Sequence, residues 1–347
     1  MEKVVDLRSD TLTCPDQEMR QAMANAAVGD DCHGEDPTVA ELERLAAERI
    51  GKGTALFCPS GTMGNSIGVM TCTALGGVVL AETYNHTGYY EREGIEQVAH
   101  VKFQLYDEPS GIPDPAKIGK IIRDAKRDGV DLRALALENS FNVRGGVCLS
   151  SAQTKDLSDL AHSNGMKVHL DGARIFNAAA YLKCDVQDLT RHVDTVMFCL
   201  SKGLGAPVGS MIAGDADQRQ FIHRCRKKMG GGMRQAGIIA AAGIIALTNG
   251  PDRCPIDNAN GRFLAESLTD TPGLRVDLGK CQTNITMIHL DSPKKADMLR
   301  DRCAERGVKF FHLRDGMCRL VCYNAIERAD CERAVKVIKD VMKEIQA

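Results

Sequence analysis

Between residues 54 and 213 short apolar runs alternate with amphipathic segments, and this alternation constrains the chain more than any other feature. Apolar runs at 54–58, 77–82, 98–106, 134–138, 167–170, 195–200 and 210–213 read as strands. Segments running on from 59 to 75, at 115–127 and at 151–163 read as helices between them. Strands that alternate with helices predict a largely parallel sheet covered by helices on both faces, an α/β architecture. Ligands of such sheets bind beyond the carboxyl ends of the strands. Thr62, Asp171 and Lys202 each fall just past a predicted strand's carboxyl end.

Lys202 stands in Leu200-Ser201-Lys202-Gly203-Leu204-Gly205-Ala206-Pro207-Val208-Gly209, where an apolar strand gives way to a glycine-rich turn. A lysine in a turn is often merely solvated. At a strand end with little backbone bulk around it, however, it also suits a Schiff-base nucleophile, and Ser201 with the glycines lets an anion approach. Pro59-Ser60-Gly61-Thr62-Met63-Gly64-Asn65 turns a strand into a helix, so free N–H groups and a hydroxyl form an anion site or a simple helix cap. The spacing matches neither a Walker A loop nor G-x-G-x-x-G. Asp171 caps the next helix or pairs with a ring nitrogen. Arg174, three residues on, forms a surface ion pair or offers a planar fork to a carboxylate. Arg319 sits inside a predicted strand at 317–323, an awkward place for a charge unless it faces a cleft or a partner.

Composition sets the frame. A chain of 347 residues exceeds what one core usually serves, so two lobes are expected: an arm at 1–14, a large domain at 15–250 and a small C-terminal α+β domain at 251–347. The arm is read as too charged for a core strand. A net charge of −2 argues against nucleic acid or an anionic membrane as partner, and the longest apolar run, 236–247, falls short of the about 20 residues that span a bilayer. The fourteen cysteines contain no C-x-x-C pair and no signal peptide precedes them, which predicts reduced thiols, a cytoplasmic location and no metal site. The remaining expectation is a small-molecule ligand. The acidic loop Gly29-Asp30-Asp31-Cys32-His33-Gly34-Glu35 is either solvated or awaits a partner.

Together Asp6-Leu7-Arg8-Ser9-Asp10-Thr11, Gly29-Asp30-Asp31 with Gly34 to Thr38, Ser60 to Asn65, His169 to Arg174, Leu200 to Gly209 and Gly230 to Gly237 resemble the L-threonine aldolases. These are fold-type I pyridoxal-phosphate enzymes related to aspartate aminotransferases and β-eliminating lyases. The resemblance implies pyridoxal 5'-phosphate on Lys202, Asp171 at the ring nitrogen, and Ser60, Gly61, Thr62 and Ser201 around the phosphate, with Arg234 reaching it from a neighbouring subunit. It implies that His86 stacks on the ring and that Ser9, Arg174 and Arg319 hold the amino acid's carboxylate; His86, directly or through water, is then the candidate base for the β-hydroxyl proton. It also makes the acidic loop an inter-subunit element of a homodimer or homotetramer. The implied activity is cleavage of L-threonine or L-allo-threonine, and of other β-hydroxy amino acids, to glycine and an aldehyde. The rivals are a β-eliminating lyase or racemase on the same scaffold and a non-catalytic homologue. Cys32-His33, Ser140-Phe141 and Cys322-Tyr323 depart from the family's pattern in segments where the β-substituent is expected.

Overall fold

The computed structural model describes residues 3–346; Met1, Glu2 and Ala347, the ends of the predicted arm and small domain, lie outside the described residues. Its strands in chain order are β1 (Val5–Asp6), β2 (Thr54–Cys58), β3 (Val78–Glu82), β4 (Lys102–Tyr106), β5 (Leu132–Glu138), β6 (Lys167–Asp171), β7 (Thr195–Cys199), β8 (Ser210–Gly214), β9 (Ile285–His289), β10 (Val308–Lys309), β11 (Phe311–Arg314) and β12 (Met317–Val321). The large sheet has seven strands in the order β2-β8-β7-β6-β5-β3-β4. Only β8 opposes the common direction, pairing antiparallel with β7 and β2. Strands buried on both faces need apolar residues on both sides. In β5, Leu135 and Leu137 enter one core while Ala134 and Ala136 enter the other.

The small side chains let the helix Gly61–Thr73 approach closely. A Cβ on Gly64 would lie 2.6 Å from Met197 Cγ, and one on Gly68 would lie 2.2 Å from His169 Cε1. The glycines therefore seat this helix on β6 and β7 and bring its N-terminus to the sheet's ligand edge.

Beyond the large sheet, β11, β12 and β9 form a three-stranded antiparallel sheet. The helices Cys254–Thr269, Pro293–Glu305 and Arg328–Gln346 cover it, with Leu264, Ile288, Leu299, Leu320 and Ile338 at the core. Val5 and Leu7 belong to that same core and are fully buried, and β1 pairs parallel with β10. The reading of the arm as too charged for a core strand is thus corrected. The segment alternates: Val5 and Leu7 point inward, while Asp6 and Arg8 pair with each other at 2.6 Å on the outside. Burying these two side chains contributes about 1.5–3 kcal/mol each.

Other boundaries move as well. The run read as a strand at 98–106 is the end of a helix, Arg92–Ala99, and a shorter strand from Lys102. Ile95 and Ala99 are that helix's buried positions, and His100 in the left-handed region (φ 55°) ends it. The helices Ile175–Leu182 and Val186–Thr190 were given no range from the sequence, and the helix that follows residue 250 is Cys254–Thr269. Gly250–Arg253 is a 3-10 turn leading straight into it. Among the described residues no helix is long and apolar enough to cross a membrane.

Candidate active site

A cavity of about 570 Å³ lies at the carboxyl ends of β6 and β7, roofed by β11 and β12. Ser9, Ser60, Gly61, Thr62, His86, Asp171, Arg174, Ser201, Lys202 and Arg319 all line it. Arg234 does not. Its side chain is 64% exposed and sits 3.4 Å from Asp30.

The Lys202 turn is held by its own backbone. Leu200 and Ser201 donate to the Gly209 carbonyl at 3.1 and 3.2 Å, and Gly205 donates to the Lys202 carbonyl at 3.0 Å. Gly209 has φ +101°, and a Cβ there would meet Phe57 at 2.3 Å, so no other residue closes the turn without displacing that ring. Opposite, the helix Gly61–Thr73 opens toward the cavity. Ser60 Oγ caps it by accepting from Met63 N at 3.2 Å, which leaves the N–H groups of Gly61 and Thr62 beside Ser201 for an anion.

Asp171 ends β6 with both oxygens occupied: Oδ1 accepts from Ala173 N at 3.0 Å and Oδ2 from Asn65 Nδ2 at 2.8 Å. Asn65 Nδ2 also donates to Glu91 Oε2 at 2.8 Å. Both amide hydrogens are therefore committed, and Asn65 Oδ1 accepts from His169 Nε2 at 3.1 Å. Burial drives the His169 ring down to about 4, against Asp171 and Glu91, so it is neutral and takes Thr195 Oγ1 on Nδ1 at 2.9 Å. The nearby Glu138 carboxyl is pushed up to about 7 by burial and by Asp171.

His86 Nδ1 lies 3.4 Å from Glu91 Oε1 and 3.9 Å from Asp171 Oδ2, with no aligned hydrogen bond. Burial lowers its pKa, but Glu91, Asp171 and Glu138 outweigh that and raise it above the ordinary imidazole value. The ring packs on Tyr90 at 5.1 Å between centroids.

Arg174 is no surface pair. Its Nε and Nη2 grip both oxygens of Asp10 at 2.6 and 2.7 Å, with Asp10 wholly buried. Burial would raise the Asp10 carboxyl; the charge and hydrogen bonds of Arg174, with Lys202 and Arg319 behind it, win and hold it below the usual carboxylate range. Arg319 is less satisfied. Nη1 donates to Asn142 Oδ1 at 2.8 Å and Nη2 to the Arg8 carbonyl at 3.2 Å, while Nε is buried without a partner. Burial and then Arg174 pull its pKa down to about 10. Two buried guanidinium groups, of which only one has a carboxylate, leave a place for an anionic ligand.

The sequence reading gave no role to Asn65, Glu91, Glu138, Asn142 or Asp10. Asn65 and Asp10 sat inside motifs it had singled out, and a polar side chain in the glycine-rich, otherwise buried helix 61–73 was the available clue. Two further segments are placed. In the acidic loop Asp30 lies 3.4 Å from Arg234 and Asp31 3.1 Å from Arg226, and just after the loop Asp36 caps the helix Pro37–Ile50. Among the described residues the cavity's walls do not include Cys32, His33, Ser140, Phe141, Cys322 or Tyr323. Cys322 and Tyr323 are packed into the core around Leu320, and Phe141 is buried; Tyr90, Phe311 and Leu313 are the apolar wall instead.

Pyridoxal phosphate fits these residues. An amine, a hydrogen-bonded carboxylate and a helix N-terminus converge on one cavity, and His86 Nδ1 and Arg319 Nε are buried polar atoms still without partners.

The β-eliminating lyase family model matches residues 6–292. The chain is 38% identical over 348 residues to low-specificity L-threonine aldolase 1 of Arabidopsis thaliana, covering 99% of this chain and 97% of that one. It is 36% identical over 293 residues to the low specificity L-threonine aldolase of Escherichia coli strain K12, covering 84% and 86%. The solved structure of Leishmania major threonine aldolase shares the fold, with a TM-score of 0.82 at 19% identity over 97% of this chain and 99% of that one. The fold and these relatives agree, and the chain belongs to the low-specificity L-threonine/L-allo-threonine aldolase family of fold-type I pyridoxal-phosphate enzymes.

Proposed function

We propose that the protein cleaves the Cα–Cβ bond of L-threonine or L-allo-threonine, and of other β-hydroxy amino acids, to glycine and an aldehyde. The observation that carries this reading is the cavity's double charge: the Lys202 amine and Asp171 carboxylate on its floor, and the under-paired Arg319 beside Arg174 on its wall. When bound, pyridoxal phosphate supplies an electron sink for the pair released at Cα. Lys202 would hold its aldehyde carbon, Asp171 its ring nitrogen, and the Gly61 and Thr62 N–H groups with Ser201 its phosphate. Arg234, exposed and outside the cavity, is assigned to the phosphate of a second copy's site, which makes the working form an oligomer.

Arg319 and the remaining donor face of Arg174 bind the amino acid's carboxylate, and Ser9 adds a hydroxyl at the same wall. Anchoring the carboxylate fixes rotation about the bond from nitrogen to Cα and so selects which bond at Cα is cleaved. His86 turns Nδ1 toward Glu91 and Asp171, which leaves Nε2 to take the β-hydroxyl proton as the aldehyde departs. Asp10 is a positioning residue that fixes the plane of Arg174.

A second reading, β-elimination on the same residues, is favoured by the breadth of the family model. One assay separates the two. The protein loaded with pyridoxal phosphate is given L-threonine and L-allo-threonine separately, and acetaldehyde, glycine, 2-oxobutanoate and ammonia are quantified. Equal amounts of acetaldehyde and glycine, absent in Lys202→Ala, support the aldolase. Ammonia and 2-oxobutanoate without aldehyde would replace it by the lyase.

A further inference from the structure

Glu138 ends β5 and pairs in register with Asp171 of β6, yet it does not line the cavity. It is 6% exposed, and among the described residues no lysine or arginine forms an ion pair with it. Two backbone donors hold it instead. Oε2 accepts from His86 N and Oε1 from Asn142 N, each at 2.8 Å.

Neither donor is incidental. His86 N opens the helix His86–Tyr89, where the first N–H groups have no partner within the helix, and the Asn85 side chain already serves Thr87. Asn142 lies in the loop after β5, and its Oδ1 accepts from Arg319 Nη1 at 2.8 Å. One carboxylate therefore fixes the main chain that carries the His86 ring and, through Asn142, the guanidinium assigned to the substrate carboxylate. Burying a carboxylate without a cation is costly, and an apolar residue would serve packing alone better. The acid makes sense as a device that needs two acceptors pointing in two directions.

We propose that Glu138 is a positioning residue that couples the ring-binding wall at His86 to the carboxylate-binding wall at Arg319, so that cofactor and amino acid are held in register with each other. This rests on the roles given above to His86 and Arg319. In Glu138→Gln one acceptor becomes an NH2 group facing a backbone N–H, so the hydrogen bond to one wall is lost while the other wall keeps only an amide oxygen as its acceptor.

The test uses holoenzyme and binding readouts, so it does not depend on bond cleavage. Circular dichroism of bound pyridoxal phosphate reports the ring's surroundings, glycine titration reports the carboxylate site, and thermal melting reports the fold. Glu138→Gln is expected to alter the cofactor dichroism and to weaken glycine about tenfold or more. Asn142→Ala, which breaks only the limb to Arg319, should weaken glycine while leaving the dichroism of the glycine-free holoenzyme as in wild type. The double variant should bind glycine no worse than Glu138→Gln alone, because both act along one path. A Glu138→Gln protein with a lower melting temperature but wild-type dichroism and glycine affinity would overturn the proposal, as would additive effects in the double variant. Should Glu138→Gln fail to fold, wild-type glycine affinity in Asn142→Ala overturns it equally. A wild-type holoenzyme that binds glycine but releases no aldehyde would sink the aldolase reading and leave this one standing.

Discussion

Replacing Asp10 by alanine tests how the carboxylate wall is built. Asp10 is fully buried, Arg174 is 6% exposed, and two hydrogen bonds of 2.6 and 2.7 Å join them, with Asn284 Nδ2 a further 3.4 Å from Asp10 Oδ2. Removing the acid leaves the Arg174 charge buried beside Arg319 and Lys202 with no carboxylate paired to it. Breaking a buried pair from one side costs about 3–5 kcal/mol. For 347 residues the entropy of unfolding is about 0.7 kcal/mol per kelvin, so the melting temperature should fall by about 4–7 °C. The assay is scanning calorimetry of the cofactor-free protein in a buffer without phosphate or carboxylate, so that no anion fills the gap. The double variant Asp10→Ala with Arg174→Met should recover most of the loss, because it removes the stranded charge as well. A fall below about 1 °C, or a double variant as unstable as the single one, would refute the argument that this pair is a buried, mutually dependent unit.

Further outcomes follow from neighbouring contacts. Gly68→Ala puts a Cβ within 2.3 Å of two His169 ring atoms, so the ring must move and release Asn65 and Thr195. We expect a loss of about 1–3 kcal/mol in stability together with weaker binding of pyridoxal phosphate, read by melting and by cofactor titration. Unchanged cofactor affinity would separate His169 from the Asp171 network. Arg234→Ala should leave the melting temperature of the cofactor-free protein nearly unchanged, its ion pair being exposed, yet weaken cofactor binding; wild-type affinity would remove Arg234 from the phosphate site. For Glu138, between Asp171 and His86, the folded value of about 7 exceeds the ordinary 4.5. Between those values the folded protein keeps a proton that the unfolded chain has lost, so this group's contribution to stability declines as pH rises through the window. In the cofactor-free protein Glu138→Gln should therefore lose less stability than wild type as pH rises from 4.5 to about 7 in melts; parallel pH profiles would count against the burial argument.

The floor of the cavity was legible because a strand's end is marked twice, by the close of an apolar run and by the small polar residues that turn the chain. That is how Lys202, Asp171 and Thr62 could be placed at one edge of one sheet. Arg319 could be read for a similar reason, as a charge inside a strand must face something other than the core. The supporting layer was not legible. Asn65, Glu91 and the close pair Glu138 and Asn142 come from three separate stretches of the chain, and each residue alone has an ordinary local explanation as a helix, cap, strand-end or loop residue. Their common purpose exists only once β5 and β6 are side by side. The arm was misread because counting its charges hid the alternation of Val5 and Leu7 with Asp6 and Arg8. The strand at 98–106 was drawn too long because apolar residues near a helix end merge with those of the strand after it. Tyr90, Phe311 and Leu313 escaped as the apolar wall for the same reason as the supporting layer: two come from β11, which meets the large sheet's edge only through the fold.

The central claim is that the cavity around Lys202 is where the cofactor is held and the amino acid is cleaved. Borohydride reduction of the protein loaded with pyridoxal phosphate, followed by peptide mass analysis, tests it most directly. The account predicts one pyridoxyl group per chain, on the peptide carrying Lys202, with the label lost when L-threonine is present in excess during reduction. A label on another lysine, or none on a protein that retains aldehyde-releasing activity, would contradict it.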